Sequence, residues 1–133
     1  MADTARAELL DAFTRAWGAQ DLDALMDLMS DVCEFRASVG PEPGTSFVGR
    51  EEVRRGFELF VGPGAPPPPP EAENEEPLLA GDFAVTRWTL RWPQPAGPPV
   101  EVRGCDVFLF DGDRIALKDT YRKVAGSLEP QDD

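Results

Sequence analysis

The second half of this sequence contains three long stretches with the pattern of β-strands. They span Phe83–Trp92, Val100–Phe110 and Arg114–Val124. In the first of them, tryptophan and leucine alternate with arginine and threonine, which is the period of two that a half-buried strand shows. Turn residues at Pro93–Pro99 and a tight hairpin signal at Asp111–Asp113 separate the three stretches. An antiparallel meander of this kind needs a second layer over its apolar face, so the first half of the chain has to supply that layer.

The first half of the chain has three stretches with helical periodicity. The predicted helices cover residues 3–20, 21–29 and 50–61. Asp21 has the side chain and the position to cap the second of them, and Val32–Val39 alternates as a strand before the third. We therefore predict an α+β fold. Its three N-terminal helices pack on the concave face of a strongly curved mixed or antiparallel sheet, forming a cone with one cavity.

One segment of low complexity interrupts this order. Ala65–Pro77 holds five consecutive prolines followed by a run rich in glutamate. Proline offers no amide donor and the acids repel one another, so we predict an extended, polyproline-like surface loop with little packing. A solvated spacer is favoured over a ligand for a proline-recognition domain. The predicted domain covers 1–124, with 63–77 as its Pro/Glu-rich loop and 125–133 as a flexible tail.

The charge and hydropathy of the chain argue against several classes of partner. The chain carries 25 acidic and 13 basic residues, a formal charge of −12 at pH 7, which repels a nucleic-acid backbone. The sequence has neither an apolar run of about 20 residues nor a charged-then-apolar leader. We therefore predict a cytoplasmic protein that binds neither nucleic acid nor a membrane.

Few side-chain types in this sequence can carry out acid–base or nucleophilic chemistry. The sequence contains no histidine, which removes the usual metal ligand and the usual proton shuttle at neutral pH. Cys33 and Cys105 are too few for a disulfide framework or a zinc spacing, and each is expected to act as a small hydrophobic residue in a strand. No motif implies a metal or a cofactor. Acid–base chemistry therefore falls to carboxylates, to Tyr121 or to lysine.

Three short segments carry a resemblance to a known family. They are Ala19–Leu25 (AQDLDAL), Val39–Pro43 (VGPEP) and Gly104–Gly112 (GCDVFLFDG). With the order of the predicted elements, they resemble the SnoaL-like and ketosteroid-isomerase-like branch of the nuclear transport factor 2-like superfamily. The resemblance covers nearly the whole chain except the proline loop and the tail. It implies a fold and not a reaction, because this fold hosts isomerases, cyclases, epoxide hydrolases, dehydratases and non-enzymatic binders.

Steroid isomerases that resemble this chain use a tyrosine and a neutral aspartic acid as an oxyanion hole, and a second carboxylate as the base. The resemblance places Phe13 at the tyrosine position and Ala37 at the base position. Asp106 matches the aspartic acid. The steroid-isomerase mechanism therefore lacks its phenol donor and its proton acceptor in this chain.

Epoxide hydrolases that resemble this fold need an Arg-x-Asp on one strand and a second aspartate on the last strand. The matching stretch is Arg87-Trp88-Thr89, with threonine where the first carboxylate would stand. Asp119 matches the second aspartate only after a slip of one residue. This mechanism is also incomplete.

Asp106, Asp119 and Tyr121 remain the candidate catalytic residues. If the pocket side of the sheet includes Asp106 and Asp119, burial and mutual repulsion would separate their pKa values, leaving one as acid and one as base. Tyr121 alternates with Asp119 and could donate a hydrogen bond. The alternative is that Asp106 is held by a buried donor such as Arg87 or a backbone amide, and that Asp119 pairs with Lys118 or Arg122 at the rim.

Bulky apolar side chains are expected to line the cavity and to favour a flat, apolar organic ligand. The predicted pocket residues are Phe13, Trp17, Phe35, Ala37, Phe57, Phe60, Trp88 and Phe108. Which face of Phe83–Trp92 lines the pocket is open at this point.

Two functions remain open on the sequence alone. One is an isomerase, cyclase or hydratase that moves a proton on an apolar small molecule by carboxyl chemistry. The other is a non-catalytic module that holds a ligand or fills its cavity with its own side chains. In either case the convex side of the sheet, which commonly makes a dimer in this fold, predicts a homodimer.

Overall fold

The computed structural model describes residues 3–41, 44–124 and 128. Its helices are α1 (Asp3–Gly18), α2 (Leu22–Asp27) and α3 (Arg50–Glu58). Its strands are β1 (Met29–Arg36), β2 (Ser46–Val48), β3 (Glu71–Asn74), β4 (Leu78–Ala80), β5 (Phe83–Trp92), β6 (Val100–Asp111) and β7 (Arg114–Arg122). The predicted tail, 125–133, lies outside the described residues except for Leu128.

The seven strands form one mixed sheet that does not close. Its order is β2-β1-β7-β6-β5-β3, and β4 also pairs with β5. The β1 and β7 strands run parallel, whereas the other neighbours are antiparallel. Three helices on a mixed sheet confirm the predicted α+β class, and β5 has the predicted bounds.

One face of the sheet carries the helices, and we call it the helix-facing face. The ring of Phe13 in α1 lies 5.5 Å from that of Phe108 in β6, and the ring of Phe57 in α3 lies 4.9 Å from that of Phe35 in β1. Because side chains alternate along a strand, the neighbours of these strand residues point the other way. That opposite surface is called the open face below.

An aromatic cluster forms the core between the helices and the sheet. Phe57 is 0 % exposed, and its ring lies 6.0 Å from that of Phe13 and 5.6 Å from that of Trp17. Phe60 packs against Trp17 and Phe35. The side chains predicted to line a cavity therefore pack largely against one another.

The boundary between α2 and β1 differs from the prediction. The helical pattern continued to residue 29, but α2 ends at Asp27 and β1 begins at Met29. Met29 is buried and pairs with Ile115 of β7, so tertiary pairing overrides the local helical period there. Asp21 caps α2 as predicted, with its Oδ1 accepting a hydrogen bond from the amide of Ala24 at 3.1 Å.

Two strands were missed by the sequence prediction. The short β2 strand pairs with β1, and β3 lies inside the segment predicted as a polyproline-like loop with little packing. That prediction is wrong for Glu71–Asn74, because its backbone pairs with β5 while its side chains stay exposed. Arg91 also forms a salt bridge with Glu73 at 3.1 Å, and this neutralises part of the negative charge that favoured a loop. The five prolines before it lie outside any strand.

The N-terminal helix is fastened to the sheet by a buried arginine. Arg6 donates hydrogen bonds to the carbonyl of Gly81 and to Oδ1 of Asp82, at the turn between β4 and β5. Its guanidinium carbon lies 4.8 Å from the centre of the Phe110 ring. These contacts fix α1 across the sheet. In the described ranges, every helix is too short or too polar to cross a membrane.

Candidate functional site

Four side chains from three adjacent strands form a hydrogen-bonded group on the helix-facing face, which we call the polar cluster. They are Trp88 of β5, Asp106 of β6, and Lys118 and Thr120 of β7. The register brings them together, because Asp106 lies between Thr86 and Thr120 across the sheet. Rigid strands therefore position every member of the cluster.

The polar cluster is deeply buried for a charged group. Asp106 is 8 % exposed and Lys118 is 5 % exposed, and Lys118 Nζ lies 2.8 Å from Asp106 Oδ1. The ammonium also lies 4.5 Å from the centre of the Trp17 ring and 5.1 Å from that of Phe35, so cation–π contacts add to the ion pair. Burying two charges costs several kcal/mol per ion before pairing, so the pair adds little net stability to the fold. A buried ion pair of this kind is therefore a candidate functional site.

Both oxygens of Asp106 act as hydrogen-bond acceptors. Trp88 Nε1 donates to Oδ2 at 3.0 Å, while Lys118 and the hydroxyl of Thr120 donate to Oδ1. Indole and ammonium groups can only donate, so both oxygens of Asp106 serve as acceptors toward Trp88 and Lys118. The sequence hypothesis made one of Asp106 and Asp119 the acid, whereas both oxygens of Asp106 are engaged as acceptors. The holding group is Lys118 with Trp88, and not the Arg87 or backbone amide weighed from the sequence.

Gly104 makes room for the indole of Trp88. A Cβ at Gly104 would come within 2.4 Å of the Trp88 ring and of the Tyr121 carbonyl oxygen. Gly104 lies directly opposite Trp88 in the sheet and two residues before Asp106. The glycine of the GCD segment therefore lets Trp88 turn its N–H toward the carboxylate.

Asp119 and Tyr121 lie on the open face. Asp119 is opposite Val107, one residue away from the row that contains Asp106. It lies 3.5 Å from Arg36 and accepts a hydrogen bond from the hydroxyl of Tyr121 at 3.1 Å. That hydrogen bond is the main reason the pKa of Tyr121 is raised above its usual value. The prediction that Asp106 and Asp119 share one face is wrong.

A β-bulge explains the error. Counting back from the hairpin without interruption would place Asp119 opposite Asp106. In the structure, Phe110 pairs with Ile115 but Leu109 pairs with Leu117, so β7 has one extra residue at this point. A shift of one residue moves every following side chain to the other face. The same shift brings Lys118 onto the helix-facing face.

The predicted pocket residues divide by burial. Phe13, Phe35, Ala37, Phe57 and Phe108 are buried, and Trp17, Phe60 and Trp88 are half-buried. The sequence did not decide which face of β5 lines the predicted pocket. In the structure Trp88 is on the helix-facing face with Asp106.

A cleft of about 340 Å³ lies beside the polar cluster. Its lining includes Ala7, Leu10, Asp11 and Thr14 of α1, the segment 74–77 and Thr86 of β5. Thr86 is the cross-strand neighbour of Asp106. The cleft therefore meets the sheet one strand position from Asp106, and the four side chains of the polar cluster are not among its described lining residues.

The sequence prediction missed Lys118, Thr120 and Thr86. Lys118 directly follows the apolar run Ile115–Leu117, but the bulge decides which face it occupies, so the pattern alone does not identify it. Thr86 and Thr120 carry no signal of their own, because threonine is common in strands for packing reasons alone.

The chain matches a family model and several solved structures. The model of the SnoaL-like domain matches residues 10–118, a range that includes Trp88, Asp106 and Lys118 of the polar cluster and ends two residues before Thr120. No curated protein matches the sequence significantly.

The structural relatives share the fold at low sequence identity. An NTF2-like protein of unknown function from Mesorhizobium loti is 24% identical, with a TM-score of 0.68 over 93% of this chain and 97% of that one. A candidate ketosteroid isomerase from Kribbella flavida is 11% identical, with a TM-score of 0.68 over 96% and 84%. A candidate polyketide cyclase from Pseudomonas putida is 16% identical, with a TM-score of 0.61 over 86% and 89%.

The family model spans most of the chain, and the helices and mixed sheet recur in these structures. At identities this low, the similarity shows a shared fold, and the reaction of a relative is not transferred to this chain. The solved structures show that this chain has the fold of NTF2-like proteins. On the family match over residues 10–118, the chain belongs to the SnoaL-like family.

Proposed function

We propose that this chain is a non-catalytic binding protein for a small, flat, largely apolar organic molecule, held on the helix-facing side of the sheet. Lys118 is the hydrogen-bond donor to the ligand, and Asp106 is the counter-ion that holds Lys118 in place. The observation that carries the proposal is the buried ion pair among aromatic rings, beside a cleft. A core that served stability alone would gain little from such a pair, because apolar residues of similar volume are often as stable.

The hydrogen bonds of Lys118 favour a neutral acceptor on the ligand. An ammonium group has three N–H donors, and Asp106 and Thr120 take two of them in the described structure. The third lies toward the rings of Trp17 and Phe35. A carbonyl oxygen could accept it, whereas a carboxylate would leave an uncompensated negative charge in the interior.

The cleft supports the size of the proposed ligand. Its volume of about 340 Å³ lies near the lower end of the roughly 300–1,000 Å³ typical of small-molecule sites. Leu10 supplies an apolar wall, while Thr14 and Thr86 supply hydroxyl groups. A ligand that enters here reaches the row of Thr86 and Asp106 first.

Binding is supported better than catalysis by the candidate residues. Asp106 accepts hydrogen bonds at both oxygens, and Asp119 with Tyr121 lies on the other side of the sheet. Acid–base chemistry needs an acid and a base within reach of one substrate. These three residues do not meet that condition together.

A titration with prodan tests the proposal. Prodan is a flat naphthyl ketone whose emission shifts to the blue in apolar surroundings. We expect saturable, blue-shifted binding to the wild-type chain. Thr86→Phe places a larger side chain in the lining of the cleft and should weaken binding by about tenfold or more.

Val48→Phe is the control, because Val48 is exposed and lies on β2, at the far edge of the sheet from Thr86. It should bind prodan like the wild type. Equal loss in both variants, or prodan emission that never saturates, would contradict binding in the cleft.

We further propose that the chain forms a homodimer through the apolar end of its open face. Phe83 and Val85 of β5 lie there beside Val107 and Leu109 of β6. Phe83 is 55 % exposed, which is unusual for a large aromatic side chain on a sheet face unless another surface covers it. A second copy presenting the same end would bury both patches.

Sedimentation velocity at micromolar concentration tests the dimer. The wild-type chain should sediment as a dimer and Phe83→Lys as a monomer. Val48→Lys is the control, because Val48 is also exposed but lies on β2, at the far edge of the sheet. A wild-type monomer, or a Phe83→Lys variant that remains a dimer, would contradict this interface.

A further inference from the structure

The other end of the open face is a basic groove in an acidic protein. The groove has a volume of about 610 Å³, and its lining includes five basic residues and two acidic ones. The whole chain has the opposite balance, with 13 basic and 25 acidic residues. Basic side chains are therefore concentrated at this place, although the lining of the groove also includes Trp88 of the polar cluster.

Two like charges in the lining of the groove lie next to each other. The amide of Lys123 donates a hydrogen bond to the carbonyl of Arg103 at 2.9 Å, so these residues lie opposite each other on neighbouring strands. Both belong to the open face, since they are two residues from Cys105 and Tyr121, which also pair. Like charges directly opposite each other destabilise a sheet, and a bound anion would offset that repulsion.

The protein's own carboxylates pair with Arg87 and Arg91 more fully than with Arg103 and Lys123. Glu75 lies 2.9 Å from Arg87, and Glu73 lies 3.1 Å from Arg91. Both glutamates come from the edge of the sheet at or just after β3. Within residues 3–41, 44–124 and 128, Lys123 has no carboxylate within 4.0 Å. Arg103 has one, Glu101, at 3.2 Å, and that carboxylate is shared with Arg91.

We propose that this groove is a second binding site that takes a small organic oxyanion, a carboxylate or a phosphate, between Arg103 and Lys123. The guanidinium of Arg103 offers paired donors to such a group, and Lys123 offers a flexible ammonium. Thr89 adds a hydroxyl between Arg87 and Arg91 on the neighbouring strand. The net charge of −12 excludes a long polyanion such as nucleic acid and leaves a compact anion as the fitting partner.

Isothermal titration calorimetry at low ionic strength tests the site, with citrate and pyrophosphate as probes of the two anion types. We expect saturable binding of at least one of them, weakening as salt is added. Lys123→Gln and Arg103→Gln should each weaken that binding by about tenfold, the effect of losing one charge-assisted hydrogen bond. Binding of one probe alone supports the site and identifies the anion type.

Arg15→Gln is the matched control, because Arg15 is an exposed arginine on α1 with the same change in charge. It should bind the probes within about twofold of the wild type. The proposal is overturned if neither probe saturates, or if Arg15→Gln weakens binding as much as Arg103→Gln. It is also overturned if the groove variants change the sedimentation of the chain while no anion binds, because the groove would then be an interface between copies.

Discussion

Replacing Lys118 with methionine should destabilise the fold by about 3–5 kcal/mol, the cost of breaking a buried ion pair by removing one partner. The carboxylate of Asp106 would stay in the interior with only Trp88 and Thr120 as donors. Methionine has nearly the length of the lysine stem, so the loss reports the charge more than the packing. Urea unfolding followed by far-ultraviolet circular dichroism measures the change.

A second variant separates the ion pair from other effects. The double variant Lys118→Met with Asp106→Asn should be more stable than Lys118→Met alone, because no unpaired charge remains buried. Lys123→Met is the matched control on an exposed lysine and should change stability by less than about 0.5 kcal/mol. If Lys118→Met is no less stable than Lys123→Met, the buried pair described here is not present in solution.

Replacing Phe57 with alanine should cost about 3–5 kcal/mol, since it leaves a cavity at the centre of the aromatic cluster. Phe57 is 0 % exposed, and its ring contacts those of Phe13, Trp17 and Phe35. The sequence interpretation treated these side chains as the walls of a cavity. Packed rings lose contacts on every side when one is removed, whereas a wall beside an empty cavity loses them on one side only.

Leu59→Ala is the control for Phe57→Ala. Leu59 follows α3 directly and is 59 % exposed, so its replacement should change stability by less than about 0.5 kcal/mol. The same urea titration compares the two. A loss of only about 1 kcal/mol for Phe57→Ala would contradict a packed core and would restore Phe57 as a pocket wall.

The parts of the fold that follow from local chemistry were predictable from the sequence. The period of two defines β5 from Phe83 to Trp92, and the side chain of Asp21 defines the start of α2. Burial of Asp106 follows in the same way, because its neighbours along β6 are apolar. Each of these depends on residues within a few positions of one another.

The missed features depend on contacts between distant segments. The strand at Glu71–Asn74 exists because β5 has an edge to pair with, although its own sequence favours a loop. The pairing of Asp106 with Lys118 depends on the bulge opposite Leu109, which no local pattern marks. Because the sequence prediction lacked this shift of one residue in register, it paired Asp106 with Asp119 and not with Lys118.

A crystal structure of the chain with prodan bound tests the central claim most directly. The claim is that Lys118 donates to a ligand on the helix-facing side. It predicts the naphthyl ring in the cleft beside Thr86, with the ketone oxygen about 2.7–3.2 Å from Lys118 Nζ. Prodan bound only on the open face, or in the cleft with its oxygen turned away from Lys118, would contradict it.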